Sequence, residues 1–173
     1  MKKYFFPSTV LMTLFTFLLG IIYPIFMTKI GTTFWAQKSE GSLIKKNDFV
    51  VGSELIGQDW KKEIYFYGRP SVSQYDPYAS GASNLSPLNL KTKIDESGLP
   101  EELVLASGSG LDPDLSLKAI YFQIPRVSKA RKISVEEIKK LVLSLVEKKL
   151  WGVLGEERVN VLKLNIELDS LTK

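Results

Sequence analysis

The sequence predicts an α+β protein: one N-terminal transmembrane helix followed by a single soluble mixed α/β domain. Three observations carry this prediction. Tyr4 to Thr28 runs for twenty-five residues without a charge, crowded with Phe, Leu and Ile. Two later stretches, opened by Ser116 and Ser134, place apolar residues at helical spacing behind a capping residue. Two others, Ile64 to Tyr67 and Leu162 to Leu168, read as strands, the first from β-branched and aromatic content and the second from strict alternation. The division that follows is 1-3 as cytoplasmic N-terminus, 4-28 as transmembrane helix, 29-50 as juxtamembrane stalk and 51-173 as soluble α+β domain.

A hydrocarbon core of about 30 Å needs roughly 20 apolar residues, so residues 4-28 span it with some to spare. In lipid the backbone must bond to itself, which leaves a helix as the one option for a lone segment. Pro7 sits in the first turn, where a missing N–H costs little, and Pro24 is expected to kink or end the helix. A cleaved signal peptide fits less well, because the apolar run is too long and no small-x-small site follows before Trp35. Lys2 and Lys3 precede the span and Lys29 follows it, which favours a cytoplasmic N-terminus and a domain outside.

The net charge of +4 does not signal nucleic acid. Setting aside Lys2, Lys3 and Lys29 leaves 20 of the 23 basic residues against all 19 acids, a nearly neutral domain. Cysteine is absent, and with it disulfides and thiolate chemistry. The absence of histidine removes the usual general base, the commonest metal ligand and any Ser-His dyad. No metal ligand set and no catalytic group are expected.

Along the soluble part, Trp35 to Asp48 is polar and stalk-like, and Gly52 to Gln58 is a loop bracketed by glycines. Gly68 to Pro87 is rich in Ser, Gly, Pro, Asn and Tyr, without periodicity. A loop of that length is either functional or disordered, and its tyrosines favour an ordered interaction loop. Leu99 to Leu105 suggests a short element leading into Ala106-Ser107-Gly108-Ser109-Gly110-Leu111-Asp112-Pro113. Two hydroxyls among glycines suit backbone N–H groups presented to an anion, or simply a turn before a helix. No Walker lysine, third dinucleotide glycine or nucleophile elbow completes it. The helix after Ser116 carries Pro125, expected to kink it, and Arg126 and Arg131, whose planar forks suit carboxylate or phosphate. The next helix is marked by the Ser134 and Glu137 capping box and is expected to stop by Gly152 and Gly155.

Taken in order, Gly52-Ser53-x-Leu55-Ile56-Gly57-Gln58, Tyr65-Phe66-x-Gly68-Arg69-Pro70-Ser71, Ser80-Gly81-x-Ser83-Asn84-Leu85, Ala106 to Asp112, Gln123-Ile124-Pro125-Arg126-Val127-x-Lys129-Ala130-Arg131 and Val159-Asn160-Val161-Leu162-x-Leu164-Asn165 closely resemble the C-chain family of bacterial Kdp potassium-transporting ATPases. The resemblance covers nearly the whole chain. It departs from the common pattern at Ser80 to Ser83, where a second glycine is usual, and at Asp114, where His or Asn is frequent.

The resemblance implies an accessory subunit of an ATP-driven potassium importer in the bacterial inner membrane, beside a channel-like A chain, a P-type B chain and a small F chain, with no nucleic-acid partner. It also implies a catalytic chaperone that raises the ATP affinity of the B chain, with ATP shared between the two as the one cofactor. Gln123 matches the glutamine tied to nucleotide in that account, with Ser107, Gly108, Ser109 and Gly110 as the neighbouring loop. Candidate partner contacts are Arg69, Pro70, Tyr75, Tyr78, Ser83, Asn84, Arg126, Arg131 and Asn160. A domain outside the membrane cannot reach cytoplasmic ATP, so support of the A chain is the more physical role. Two rivals of other classes are a tethered hydrolase using Ser107 with Lys118 or Lys129, and a free-standing extracytoplasmic binding domain.

Overall fold

The computed structural model describes residues 2-46 and 48-171. Met1, where the expected cytoplasmic N-terminus begins, and Thr172 and Lys173, where the expected domain ends, lie outside the described residues. The chain forms two compact units, Met1–Leu43 and Ile44–Lys173.

The first unit is dominated by one continuous helical rod, Lys3–Phe34, of 32 residues with none of its apolar window buried. It comprises α1 (Lys2–Phe17), a π-helical turn (Leu18–Ile22) and α2 (Tyr23–Phe34). At 1.5 Å per residue the rod is about 48 Å long, enough to cross a bilayer and emerge from it. Ser8, Thr9 and Thr13 donate their hydroxyls to the carbonyls of Tyr4, Phe5 and Thr9 at 2.7, 2.9 and 2.9 Å, so their polar groups stay satisfied within the helix. Pro24 neither ends the rod nor stands in its interior ladder. The wide turn preceding it shifts the Tyr23 N–H onto the Leu18 carbonyl, and Pro24 then occupies the first turn of α2. A short helix, α3 (Ala36–Ser39), follows.

The second unit opens with the hairpin β1 (Leu43–Lys46) and β2 (Phe49–Ser53). Its frame is a repeated local pattern in which a three-residue strand turns directly into a helix. β3 (Asp114–Ser116) runs into α6 (Leu117–Arg131), and β4 (Arg158–Asn160) runs into α8 (Val161–Ser170). The two strands pair antiparallel, with Leu115 opposite Val159. Each helix is capped by the last residue of its strand: Ser116 Oγ accepts from Ala119 N, and Asn160 Oδ1 from Lys163 N at 3.1 Å. α7 (Val135–Ser144) carries the expected capping box, with Ser134 and Glu137 bonding reciprocally. Around this frame Leu115, Ile120, Ile124, Val127, Ile138, Val142, Val159, Leu164 and Leu168 form one core, closed on one side by Phe66.

Four local expectations change. Leu162 to Leu168 is helical, not a strand: Val161, Leu162, Leu164, Asn165 and Leu168 are buried, which is one helix face, and Asn165 lies inside rather than at the surface. The Asn160 cap and the two-residue alternation competed, and the cap won. Ile64 to Tyr67 is irregular rather than a ladder strand. α7 stops at Ser144, and the chain then makes a loose hairpin bridged at Glu147–Arg158 and Leu150–Leu154. Pro87, read as the last residue of the long loop, instead opens α4 (Pro87–Ser97), an element not expected over 88-97, whose Ser86 cap, Pro87 at the first position and left-handed Gly98 at its end are all helix punctuation. The shorter α5 (Glu101–Val104) follows.

Candidate functional site

The segment Glu63 to Tyr67 lies across α6 and α8 and is held there by side chains doing the work of a neighbouring strand. Gln123 Oε1 accepts from Tyr67 N at 2.9 Å and Gln123 Nε2 donates to Tyr67 O at 3.0 Å. Asn165 repeats the pattern on the preceding residue, accepting from Phe66 N and donating to Phe66 O, both at 2.9 Å. Two primary amides thereby satisfy four backbone groups that no strand reaches, which accounts for the missing ladder. Gln123 is only 4% exposed and Asn165 fully buried.

Two arginines of α6 complete the clasp. Arg126 donates to Tyr65 O at 2.9 Å, to Gln123 Oε1 at 2.8 Å and to the carbonyl of Glu63, while its guanidinium lies 3.9 Å from the Tyr67 ring centre. Burial pushes the Arg126 guanidinium below its ordinary value, partly offset by Tyr67 and Glu63. Arg131 donates through Nε to Ile64 O at 2.7 Å and pairs with Asp169 Oδ1 at 2.7 Å, its side chain 5% exposed and lying over the Tyr65 ring. Each arginine thus bonds backbone carbonyls of the segment and stacks on a tyrosine from it, a use of the planar fork that lysine cannot copy.

Beyond the clasp, three loops close on one another. Gly57 N donates to Leu111 O at 2.7 Å, and a Cβ on Gly57 would stand 2.7 Å from the Asp112 carbonyl, so only glycine permits the approach. Arg69 pairs with Asp112 at 3.0 Å, while its Nε is buried without a partner. Tyr75 donates its hydroxyl to Arg69 O at 2.6 Å and its N–H to Ser71 Oγ at 2.9 Å. Burial, then the charge of Asp59, raises the Tyr75 phenol above its ordinary value. Ser107 N donates to Pro70 O at 3.1 Å, but Ser107 Oγ is buried with no hydrogen-bond partner, so neither Lys118 nor Lys129 forms a dyad with it. Gly108 and Ser109 are exposed, and Gly110, at φ +73, packs against Ser71 and Ser73. Beside these loops a polar cavity of about 260 Å³ is lined by Arg69, Glu102, Asp112, Asp114, Glu156, Glu157 and Arg158 among others.

The sequence candidates therefore separate into two groups. Arg69, Gln123, Arg126, Arg131 and Asn160 are engaged within the domain; Asn160 Nδ2 reaches Glu54 O at 2.8 Å as well as Asp114 Oδ1 at 3.3 Å. Tyr78, 98% exposed, and Asn84 stand in solvent, with Pro70, Tyr75 and Ser83 half-buried between the groups. Sequence reading did not single out Asn165, Tyr67, Asp112 or Asp169 as parts of this arrangement. The one local signal was an amide at helical spacing within the apolar face of residues 161-168. Among the described residues no group of three His, Asp or Glu side chains is placed to hold a metal ion.

These features define a class: a membrane-associated chain with one apolar helix and one α+β domain whose loops are pinned by amides and arginines. The family described as K+-transporting ATPase, c chain (KdpC) matches residues 5–170, and this chain belongs to it. The chain is 42% identical over 177 residues to a protein of Polynucleobacter asymbioticus named potassium-transporting ATPase KdpC subunit, covering 92% of this chain and 94% of the relative. A protein of the same name from Janthinobacterium sp. (strain Marseille) is 42% identical over 187 residues, 98% and 99% of the two chains. Another from Rhodopseudomonas palustris (strain TIE-1) is 40% identical over 191 residues, 95% of each.

Proposed function

We propose that this chain is the accessory subunit of an ATP-driven potassium uptake complex, anchored by its N-terminal helix and bracing a channel-like A chain beside the P-type B chain and a small F chain. The observation that carries this reading is the family match across residues 5–170, with relatives similar over almost their full lengths. Lys2 and Lys3 before the span favour an inside N-terminus and an extracytoplasmic domain. Pro70, Tyr75, Tyr78, Ser83 and Asn84 are the proposed partner contacts, since their loop is set by Arg69 and Ser71 yet leaves Tyr78 and Asn84 in solvent. Arg69, Arg126, Arg131 and Asn160 serve that surface from behind by fixing the backbone that presents it.

A second reading, the catalytic chaperone that raises the ATP affinity of the B chain, has one observation in its favour. Ser107 Oγ is buried and unpartnered next to the open backbone of Gly108 and Ser109, an arrangement that suits an acceptor oxygen of a shared nucleotide. In that reading Gln123 acts by holding Tyr67, its amide being occupied. Affinity purification of the tagged full chain tests the first reading: two larger membrane chains should accompany it, and recovery of the chain alone would refute it. ATP titration of the purified chain tests the second. Binding no tighter than about millimolar, worth roughly 4 kcal/mol, is expected for the bracing role. Micromolar binding lost with Ser107→Ala would favour the chaperone.

A further inference from the structure

Asp112 joins the fixed frame of the domain to the loop that carries Tyr78 and Asn84. On the frame side both of its neighbours are held: Leu111 O accepts from Gly57 N at 2.7 Å, and Pro113 O accepts from Val161 N, at the start of α8, at 2.9 Å. Its own Oδ1 accepts from Asp114 N at 3.1 Å, which sets the direction of the side chain. On the loop side its Oδ2 takes the Arg69 guanidinium at 3.0 Å. Among the described residues Asp112 is the one partner of that guanidinium, since Arg69 Nε is buried without one. The other acids lining the adjoining cavity are engaged elsewhere or stand on the loose hairpin. Glu102 Oε2 accepts from Ser116 N at 2.9 Å, Asp114 holds Arg158 and Asn160, and Glu156 and Glu157 follow the bridge from Leu150 to Leu154.

Arg69 in turn holds the turn from which the loop departs. Its carbonyl accepts the Tyr75 hydroxyl at 2.6 Å, and Ser71 Oγ accepts from Tyr75 N at 2.9 Å. Gln74 and Tyr75 both lie in left-handed backbone, at φ +56 and +61, a conformation that strains any residue with a Cβ and persists only where its surroundings hold it. Release of Arg69 therefore lets this turn relax and re-aims residues 76-85. We propose that Asp112 is a positioning residue for the partner surface: by gripping Arg69 it keeps the turn at Gln74 and Tyr75 in its strained form and fixes the direction in which Tyr78 and Asn84 are presented. The inference rests on the proposed bracing role, to which it adds the residue that sets the pose of the contact loop.

Asp112→Asn is the informative change, because the amide oxygen can keep the bond from Asp114 N while the charge facing Arg69 is lost. In the full chain in micelles, which has no native cysteine, a nitroxide on Ser80→Cys in the exposed part of the loop should tumble slowly in the parent and fast in Asp112→Asn. On the tagged full chain, recovery of the two larger membrane chains should fall about tenfold with Asp112→Asn, about as far with Arg69→Gln, and no further in the double variant, since both changes cut one attachment. A merely structural role predicts instead that any equal loss of stability does the same. Val142→Ala, which opens a cavity in the core on α7, should lower the melting temperature at least as much yet leave label and recovery as in the parent. A label equally slow in parent and Asp112→Asn would overturn the proposal, as would a loop freed to the same degree by Val142→Ala. So would a freed label with undiminished recovery, because the loop would then not be the contact surface. Recovery of the parent chain alone refutes the bracing role instead, and the label on the isolated chain still decides whether Asp112 holds the loop.

Discussion

Replacing Gln123 with Ala tests whether a side-chain amide substitutes for a strand. The change leaves both the N–H and the C=O of Tyr67 without their partner and removes one acceptor from Arg126. A buried group left unpaired costs about 1–3 kcal/mol, but Tyr67 is half-buried, so water can replace part of what is lost. A total of about 2–3 kcal/mol follows. Asn165→Ala removes the same pair of bonds from Phe66, which is fully buried and out of reach of water, so its cost should be larger, about 3–5 kcal/mol. Urea unfolding of the full chain in micelles, followed by circular dichroism, measures both, and amide exchange at Phe66 and Tyr67 locates the loss. Equal stability of parent and Gln123→Ala, with exchange at Tyr67 unchanged, would refute the strand-substitute argument. The reverse order of the two variants would show that burial is not what sets the magnitude.

Three further outcomes follow from the same geometry. Arg131→Lys keeps the charge but cannot bond Ile64 O, Leu168 O and Asp169 together, so the unfolding free energy should fall by about 3 kcal/mol in the same urea measurement. Gly110→Ala forces a left-handed backbone on a residue with a Cβ that would stand 2.3 Å from Ser73 Oγ; it should destabilise, and the second change Ser73→Gly should restore only the part due to the clash. Burial raises the Asp114 carboxyl above the ordinary carboxylate value, outweighing the attraction of Arg158, so the folded state holds this proton more tightly than the unfolded one. Its contribution to stability is therefore fully present below the ordinary value and lost as pH rises through the raised one. The melting temperature of Asp114→Asn relative to the parent should accordingly fall as pH drops from neutral into the carboxylate range, and a constant difference would refute the assignment.

How far the sequence carried depended on whether a local signal had a tertiary competitor. The α+β class, the apolar rod, and the starts of α6 and α7 were legible because each rests on short-range chemistry: an uncharged run, a Ser cap, a reciprocal capping box. Ile64 to Tyr67 was misread for the opposite reason. Its β-branched and aromatic residues are indeed extended-chain formers, but a strand is defined by its partner, and here the partners are Gln123 and Asn165, 56 and 99 residues away. The same long-range use explains the candidate site. Arg126 and Arg131 were picked out as forks for carboxylate or phosphate, and Arg131 does grip Asp169, yet both spend most of their donors on backbone carbonyls and their planes on tyrosines. A fork that fits an anion also fits a row of carbonyls, and residue type alone does not separate the two. What separates them is whether an unpaired donor or acceptor remains at the end. By that criterion Gln123 is spent, whereas Ser107 Oγ and Arg69 Nε still hold unused hydrogen-bonding capacity beneath the loops around Pro70 and Gly108. Those loops, rather than the conspicuous arginines of α6, are where a partner or nucleotide oxygen would gain most from binding.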